Sequence, residues 1–463
     1  MQKIIYVFFL TALNIYAISI FELTGANGNN TSFNGKIFES GSYSTYFNPS
    51  LLIKSKTETN VALFTIHQNF NIDLKKRNSN NDITEDIYDS RVLNEDGSTS
   101  PVMFKPLPTY KLNKRGNYNP ENTDYYFSFG FVKELLKDKF NIGFIALMPL
   151  KSFQSQSTFF PDEREQYFSN SLHYELYEDR IKNTNLAIGA AYRIKDFVFG
   201  IGGTLSIFSY TKTKIYISDV SVQKIENLSP SIDVKTKFVP HFSLLYSIKD
   251  FNITSTVHLP YYSDIDVETE TIFYNYVDEN NQFKQSTKSK LRFGYEPLKI
   301  SLGLSYVFGN ISIGSVLNYS RWSDYVNRLN EKGNFNDTFF GSLGILYKKN
   351  ANLISFDLNY VPSPVPNQTN TTNYVDNDKI GFAVNYKYSF KTFNIGIFTQ
   401  FHYLIKEDVE KTFVTDEFPK SVDVKSGEVI ESSLGLQTNN PGYPGYSNYG
   451  FILNLGILFS FNI

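Results

Sequence analysis

One motif recurs along the chain. An alternating apolar run closes on tyrosine, a short polar turn follows, and a second alternating run opens. It stands at 192–197 (YRIKDF), 246–251 (YSIKDF), 306–311 (YVFGNI), 347–353 (YKKNANL) and 388–393 (YSFKTF), and Phe459-Ser460-Phe461 closes the last run. Each instance reads as a tight β-hairpin. Hairpins that repeat with short turns at one end and long polar segments at the other close most economically into an up-and-down barrel. Aromatic side chains beside the turns suit a membrane interface.

The first residues narrow the setting. Lys3, the apolar stretch Ile4 to Leu13 and Ala17 have the pattern of a secretory signal over 1–17, too short to span a bilayer. No later stretch reaches the ~20 apolar residues of a spanning helix, so any crossing must be made by strands. Hydrophobic residues at 41% and charged ones at 19% look soluble on average, but alternation hides lipid-facing strands from any average. Phe (42) and Tyr (33) are abundant while Trp322 stands alone, so interfacial girdles would be built from Tyr and Phe. A formal net charge of -2 makes no case for nucleic acid. The absence of cysteine fits an exported chain that does not rely on disulfides.

Period-two alternation predicts fourteen strands, at about 59–74, 123–134, 139–150, 168–194, 197–217, 233–248, 251–275, 286–308, 311–325, 338–348, 353–362, 379–390, 393–407 and 448–463. An even number suits a closed antiparallel sheet with no free edge. The expected fold is all-β: a fourteen-stranded antiparallel transmembrane barrel, its short connections periplasmic and its long ones extracellular. Phe197, Phe199, Ile201, Leu205 and Ile207 should face lipid, with Val198, Gly200, Gly202, Thr204 and Ser206 facing the lumen. The same division separates Ile300, Leu302, Leu304, Tyr306 and Phe308 from Ser301, Gly303 and Ser305. A soluble sandwich or propeller is the alternative, and it leaves the signal, the turn-end aromatics and the length alternation unconnected. Pro149, Pro240, Pro260 and Pro297 fall in or beside strand patterns, as bulges and strand ends or as local wall defects through which a ligand could leave sideways.

Residues 18–58 do not alternate. Glycines 25, 28, 35 and 41 and asparagines 27, 29, 30 and 34 mark a compact loop. It also carries Phe21, Phe33, Phe38, Tyr43 and Phe47, and a barrel lumen offers a place to bury such rings. Asn48-Pro49-Ser50 follows, and with 160–180 (FPDEREQYFSNSLHYELYEDR), Trp322-Ser323-Asp324-Tyr325, 363–381 and 439–450 the chain resembles the FadL-like outer-membrane transporters of long-chain fatty acids and other hydrophobic compounds. The resemblance implies an N-terminal hatch over 18–58, involving Phe21, Asn48, Pro49 and Ser50, that plugs a barrel over 59–463. Ser50 stands where that family carries alanine. The chain closes on Ile463 in place of a terminal aromatic, with Phe461 two places earlier.

No residue arrangement points to catalysis. The five histidines are scattered without partners at metal-ligand spacing. Asp376 and Asp378 beside Asn373 and Asn377 read as a turn or cap, or as a calcium loop of unusual spacing. Neither cofactor nor metal is expected. A carrier of amphiphiles needs an apolar groove for the tail and donors for the head. Phe153, Phe159, Phe160, Tyr167 and Phe168 could form a landing site on a long loop, or pack loop against loop. Arg193 could meet a carboxylate, or pair with Glu22 or Glu39. Pro149 is the candidate lateral exit. The reading is thus an outer-membrane channel, monomeric and set in outer-membrane lipid, importing a hydrophobic small-molecule ligand past a hatch. The alternative is a structural or surface-binding barrel whose plug stays shut.

Overall fold

The computed structural model describes residues 20–27, 29–74, 91–93, 99–101, 117–118, 121–150, 173–174, 184–219, 224–275, 278–326, 332–367, 374–410 and 445–462. The signal pattern over 1–17, the loop aromatics Phe153, Phe159, Phe160, Tyr167 and Phe168, and Asn373 lie outside the described residues.

Fourteen strands form a closed antiparallel ring: β1 Glu58–Leu74, β2 Glu121–Leu136, β3 Phe140–Pro149, β4 Thr184–Ile194, β5 Phe197–Asp219, β6 Lys224–Ile248, β7 Phe251–His258, β8 Leu298–Phe308, β9 Ile311–Arg321, β10 Thr338–Lys349, β11 Asn352–Val361, β12 Lys379–Ser389, β13 Phe393–Glu410 and β14 Gly445–Asn462. The ring closes where β14 pairs with β1, from Glu58↔Asn462 to Leu74↔Tyr446. Closure leaves no sheet edge and excludes the sandwich and propeller alternatives. Among the described residues no helix is long and apolar enough to cross a membrane.

Turn chemistry explains the hairpins. Two-residue connections need a left-handed residue to match the strand twist. Lys195, Lys249 and Gly309 supply it, with φ of 54, 50 and 58°. Alternation then sorts the side chains. Along β8, Ile300, Leu302, Leu304, Tyr306 and Phe308 are exposed on the outside while Ser301 and Ser305 are buried within. Along β5, Phe197, Phe199 and Ile201 point out, and Val198 and Thr204 point in. The exposed apolar residues recur on strand after strand, giving a belt far larger than the scattered patches that water-facing proteins carry. At about 25 cal/mol per Å² such a surface is stable only against lipid or detergent.

Prolines decide where the predicted runs break. The run 251–275 divides at Pro260 and 286–308 divides at Pro297, because neither residue can donate to the ladder. Between them the hairpin Tyr261–Asn275 and Asp278–Glu296 projects beyond the wall, while β7 pairs directly with β8 below it. The run 311–325 stops at Arg321, and Trp322–Asp324 forms a turn of 3₁₀ helix closed by the Arg321 Nε–Asp324 Oδ2 ion pair at 3.0 Å. Among the described residues of the run 168–194, Thr184–Ile194 belongs to the ring. His173–Tyr174 pairs instead, in parallel, with Tyr374–Val375.

The N-terminal segment lies inside the ring. It comprises α1 Ile20–Thr24, α2 Gly35–Phe38, α3 Ser44–Phe47 and the 3₁₀ helix Pro49–Lys54. Helices this short do not persist alone in water, so they hold through what surrounds them. Phe21 stacks on Tyr46 at 4.5 Å, and both join a buried cluster with Phe64, Tyr126, Ile145 and Phe398 of the wall. Polar anchors come from all sides. The Tyr43 hydroxyl meets Ser128 Oγ at 2.6 Å, His241 Nε2 meets the Thr45 carbonyl at 2.8 Å, and Asn141 Nδ2 donates to the Leu52 and Ser55 carbonyls at 2.7 and 2.8 Å.

Candidate functional site

Lumen-facing Ser301, Asn318, Ser320, Thr338 and Ser342 on β8 to β10 are small or polar, which leaves room between the wall and the N-terminal segment. A cavity of about 140 Å³ fills that space. Leu23, Phe33 and Phe47 of the N-terminal segment line its floor; Asn318, Ser320, Thr338, Phe340 and Ser342 form its side; Tyr295, Pro297, Trp322, Pro362 and Pro364 surround its mouth. The mouth opens at the end of the barrel that carries the long connections. There Trp322 packs on Tyr295 at 5.9 Å, Tyr325 stacks on Phe335 at 4.2 Å, and Phe335 meets Tyr374 edge-on at 5.1 Å. Aromatic rings so arranged offer a large apolar face at little conformational cost.

Three lysines line the same cavity in different electrostatic states. Lys299 Nζ lies 2.6 Å from Glu296 Oε2 and 3.5 Å from Glu22 Oε1, so its charge is matched twice. Lys379 Nζ pairs with Asp376 Oδ1 at 3.0 Å. Lys36 Nζ instead donates to the neutral oxygens Ser301 Oγ at 3.0 Å and Asn318 Oδ1 at 2.8 Å. Burial opposes the charge on Glu22. The Lys299 and Lys36 ammonium groups and the Tyr46 hydroxyl nevertheless hold its carboxyl down to about 2. The cavity is therefore apolar at its mouth and polar toward the N-terminal segment. An amphiphile fits that gradient, tail against the rings and acceptor group toward Lys36.

The residues singled out from sequence fall in several places. Phe21 lies in the buried cluster below the cavity. Asn48, Pro49 and Ser50 dock together on β5 and β6. Asn48 Nδ2 donates to the Lys36 carbonyl at 2.8 Å, and the Ser50 amide donates to Ser243 Oγ at 2.8 Å. Arg193 sits half-buried near the short-turn end, close enough to Lys54 for the two charges to oppose each other, and away from the cavity. Glu22 takes Lys299, and Glu39 Oε1 accepts from Asn29 Nδ2 at 2.5 Å. Pro149 ends β3 opposite Tyr126, and the Leu150 amide still donates to the Tyr125 carbonyl at 2.7 Å, so the β2–β3 ladder runs past it unbroken. Asp378 accepts from the Tyr360 hydroxyl at 2.5 Å and the Ser363 amide at 2.8 Å, and Asn377 Nδ2 from the same turn donates to the Ile405 carbonyl at 2.8 Å, which is the work of a cap. Among the described residues no three His, Asp or Glu side chains group as metal ligands.

Sequence reasoning missed the cavity because its wall comes from six strands, each giving one to three side chains of mixed character, from Ser, Asn and Thr to Lys and His. The one available signal was Trp322, the sole tryptophan, at the end of a strand.

The geometry has known counterparts. A FadL homologue from Pseudomonas aeruginosa superposes with a TM-score of 0.57 at 10% identity, over 98% of this chain and 99% of that one. This is a FadL-like fold. The TodX monoaromatic hydrocarbon channel, in a deltaS2S3 mutant form, superposes with a TM-score of 0.51 at 10% identity, over 97% of this chain and 100% of the other. The deltaS2 mutant of the same channel gives 0.50 at 10% identity, over 97% and 100%. No family model and no curated protein matches the sequence. Near-complete coverage at such identity shows a shared overall fold carried by largely different side chains.

Proposed function

We propose that this chain is an outer-membrane channel that takes up hydrophobic molecules and does no covalent chemistry on them. The carrying observation is the cavity itself, a pocket joining an aromatic mouth to the N-terminal segment inside a lipid-facing barrel. Its FadL-like relatives include a channel for monoaromatic hydrocarbons, in keeping with a ligand of that kind. In this reading residues 18–58 act as a hatch, 59–463 form the barrel, and 1–17 direct export. A hydrophobic ligand leaves water at the rings around Trp322, gains about 25 cal/mol for each Å² buried, and passes when the hatch shifts. The buried hydrogen bonds that hold the hatch also support the rival reading of a permanently closed barrel, and uptake separates the two.

Replacing Trp322 and Tyr295 together with aspartate is expected to lower uptake of a long-chain fatty acid or an aromatic hydrocarbon about tenfold or more, since burying one large apolar side chain is worth ~1.5–3 kcal/mol. Heat-modifiable migration of the barrel in electrophoresis should persist. Uptake equal to that of the native protein in a complemented deletion strain would favour the closed barrel. Orientation has its own test. Cysteines at Asn310, in a short turn, and Asn367, in a long connection, should label from the periplasm and the outside respectively, in a chain with no native cysteine. Labelling of intact cells at position 310 but not 367 would reverse the assignment.

A further inference from the structure

At the outer part of the cavity, three residues stand in one row across three strands. Asn359 of β11 pairs with Gly381 of β12, and Gly381 pairs with His402 of β13. All three share the lumen-facing side, and Asn359 and His402 line the cavity. Gly381 lets the two side chains lean together. A Cβ there would collide with Asn359 Oδ1 and stand 3.0 Å from His402 Nδ1, so Asn359 Oδ1 takes the space that a side chain would fill and lies beside His402 Nδ1.

Neither atom has a partner within the protein. Asn359 Oδ1 is buried without a hydrogen bond, as are Nδ1 and Nε2 of His402. The Leu23 backbone lies beside the imidazole without hydrogen-bond geometry, and Phe33 packs on the ring at 5.0 Å between centroids. An unsatisfied buried acceptor costs on the order of the desolvation of the group, and native interiors seldom keep several together. Asn359 Oδ1 and His402 Nδ1 stand together beside a cavity that already suits an amphiphile, and they call for a ligand group that meets both.

We propose that this pair receives the hydroxyl of a neutral amphiphile. The chemistry selects among polar groups. Asn359 Oδ1 needs a donor, which a carboxylate cannot give and which a bare hydrocarbon lacks. Three lysines against two glutamates line the same cavity, a balance that disfavours a cationic head. A hydroxyl donates its one proton to Asn359 Oδ1 and accepts from His402 Nδ1–H, so the pair selects the imidazole tautomer protonated at Nδ1. The proposal rests on the uptake reading and deepens it, separating hydroxylated ligands from plain hydrocarbons.

Trp322 lies on the same cavity and is the chain's only tryptophan, so its fluorescence reports binding in the purified full-length protein. The probes are 1-decanol and decane, equal in chain length, and partition into detergent cancels when variants are compared. The expected result is an affinity ratio of 1-decanol to decane that falls about tenfold in Asn359→Leu, the worth of roughly one buried hydrogen bond. Gly381→Ala, whose Cβ would push Asn359 Oδ1 away from His402 Nδ1 while both polar side chains remain, should lower the ratio in the same direction. It guards against misfolding of the first variant. A ratio unchanged in both would overturn the proposal, as expected of a pair that holds only ordered water, and would leave the uptake reading standing. If neither probe alters Trp322 fluorescence in the native protein, both readings fall together.

Discussion

Replacing Asp357 with leucine is expected to release the N-terminal segment from the barrel wall. Asp357 projects into the lumen from β11 and is buried. Its carboxylate accepts from Thr31 Oγ1 at 2.8 Å, from the Ser32 amide at 2.7 Å and from Asn34 Nδ2 at 2.7 Å. Every one of these donors is neutral and belongs to the segment, so the side chain works as an anchor without a countercharge. Oriented amide and hydroxyl dipoles can hold a buried carboxylate in this way when several converge. Leucine removes the acceptor and strands three buried donors at once. Each stranded donor costs about 1–3 kcal/mol, and the total should reach about 3–5 kcal/mol. Asp357→Asn keeps one acceptor oxygen and should lose clearly less. Planar-bilayer conductance and protease cleavage within residues 20–54 measure the outcome. Both should rise in Asp357→Leu, less so in Asp357→Asn. Conductance and cleavage equal to the native values in both variants would show that the segment is held elsewhere.

The second large effect is steric. Gly200 on the lumen face of β5 lies against the Pro49–Ser50 backbone, where a Cβ would collide with the Ser50 nitrogen and Ser243 Oγ and sit 2.7 Å from the Pro49 carbonyl carbon. Two of these are main-chain atoms inside a 3₁₀ helix that is packed on its other side, so they cannot give way as the tip of a long side chain would. Gly200→Leu should therefore unseat the Asn48-Pro49-Ser50 turn. The expected loss is about 3 kcal/mol, at the upper end of what overpacking costs. The temperature of heat-modifiable unfolding should drop, and conductance should rise as it does for Asp357→Leu. Gly341→Leu is the control, since a Cβ there meets only the Val316 carbonyl, at 3.7 Å. If Gly200→Leu melts like this control, the turn does not depend on the close approach.

Together the two positions describe how the segment is held. Asp357 grips the Thr31–Asn34 loop from one side of the ring, while β5 receives the Pro49–Ser50 turn from the other. Between them Lys36 reaches Ser301 and Asn318 beside the cavity. A movement that opened a path past Lys36 would have to break one of these grips. In this reading the anchors set the threshold for passage.

The strand count and the two faces of each strand could be read from the residues alone, because both are local. Alternation such as Ile300-Ser301-Leu302 gives each side chain its side of the sheet whatever the neighbouring strand turns out to be, and turns such as Lys195-Asp196 announce themselves by composition. The breaks at Pro260 and Pro297 were half legible. A missing donor is visible in the sequence, but the departure of a hairpin from the wall depends on which strands then pair, and β7 found β8. The cavity was not legible. Asn359, Gly381 and His402 are separated by some twenty residues each, and only the ring's register sets them in one row. Lys36 and Lys299 are equal as letters, yet the first ends among neutral oxygens and the second between two carboxylates. Arg193 looked suited to an anionic head because alternation gives its side of the strand. Alternation does not give its height in the barrel, and β4 places it near the short-turn end. Periodicity along a chain decides inside from outside. Which inward residues meet, and at what depth, is decided by strand register and by the segment that fills the lumen, and those are long-range contacts that only the closed barrel creates.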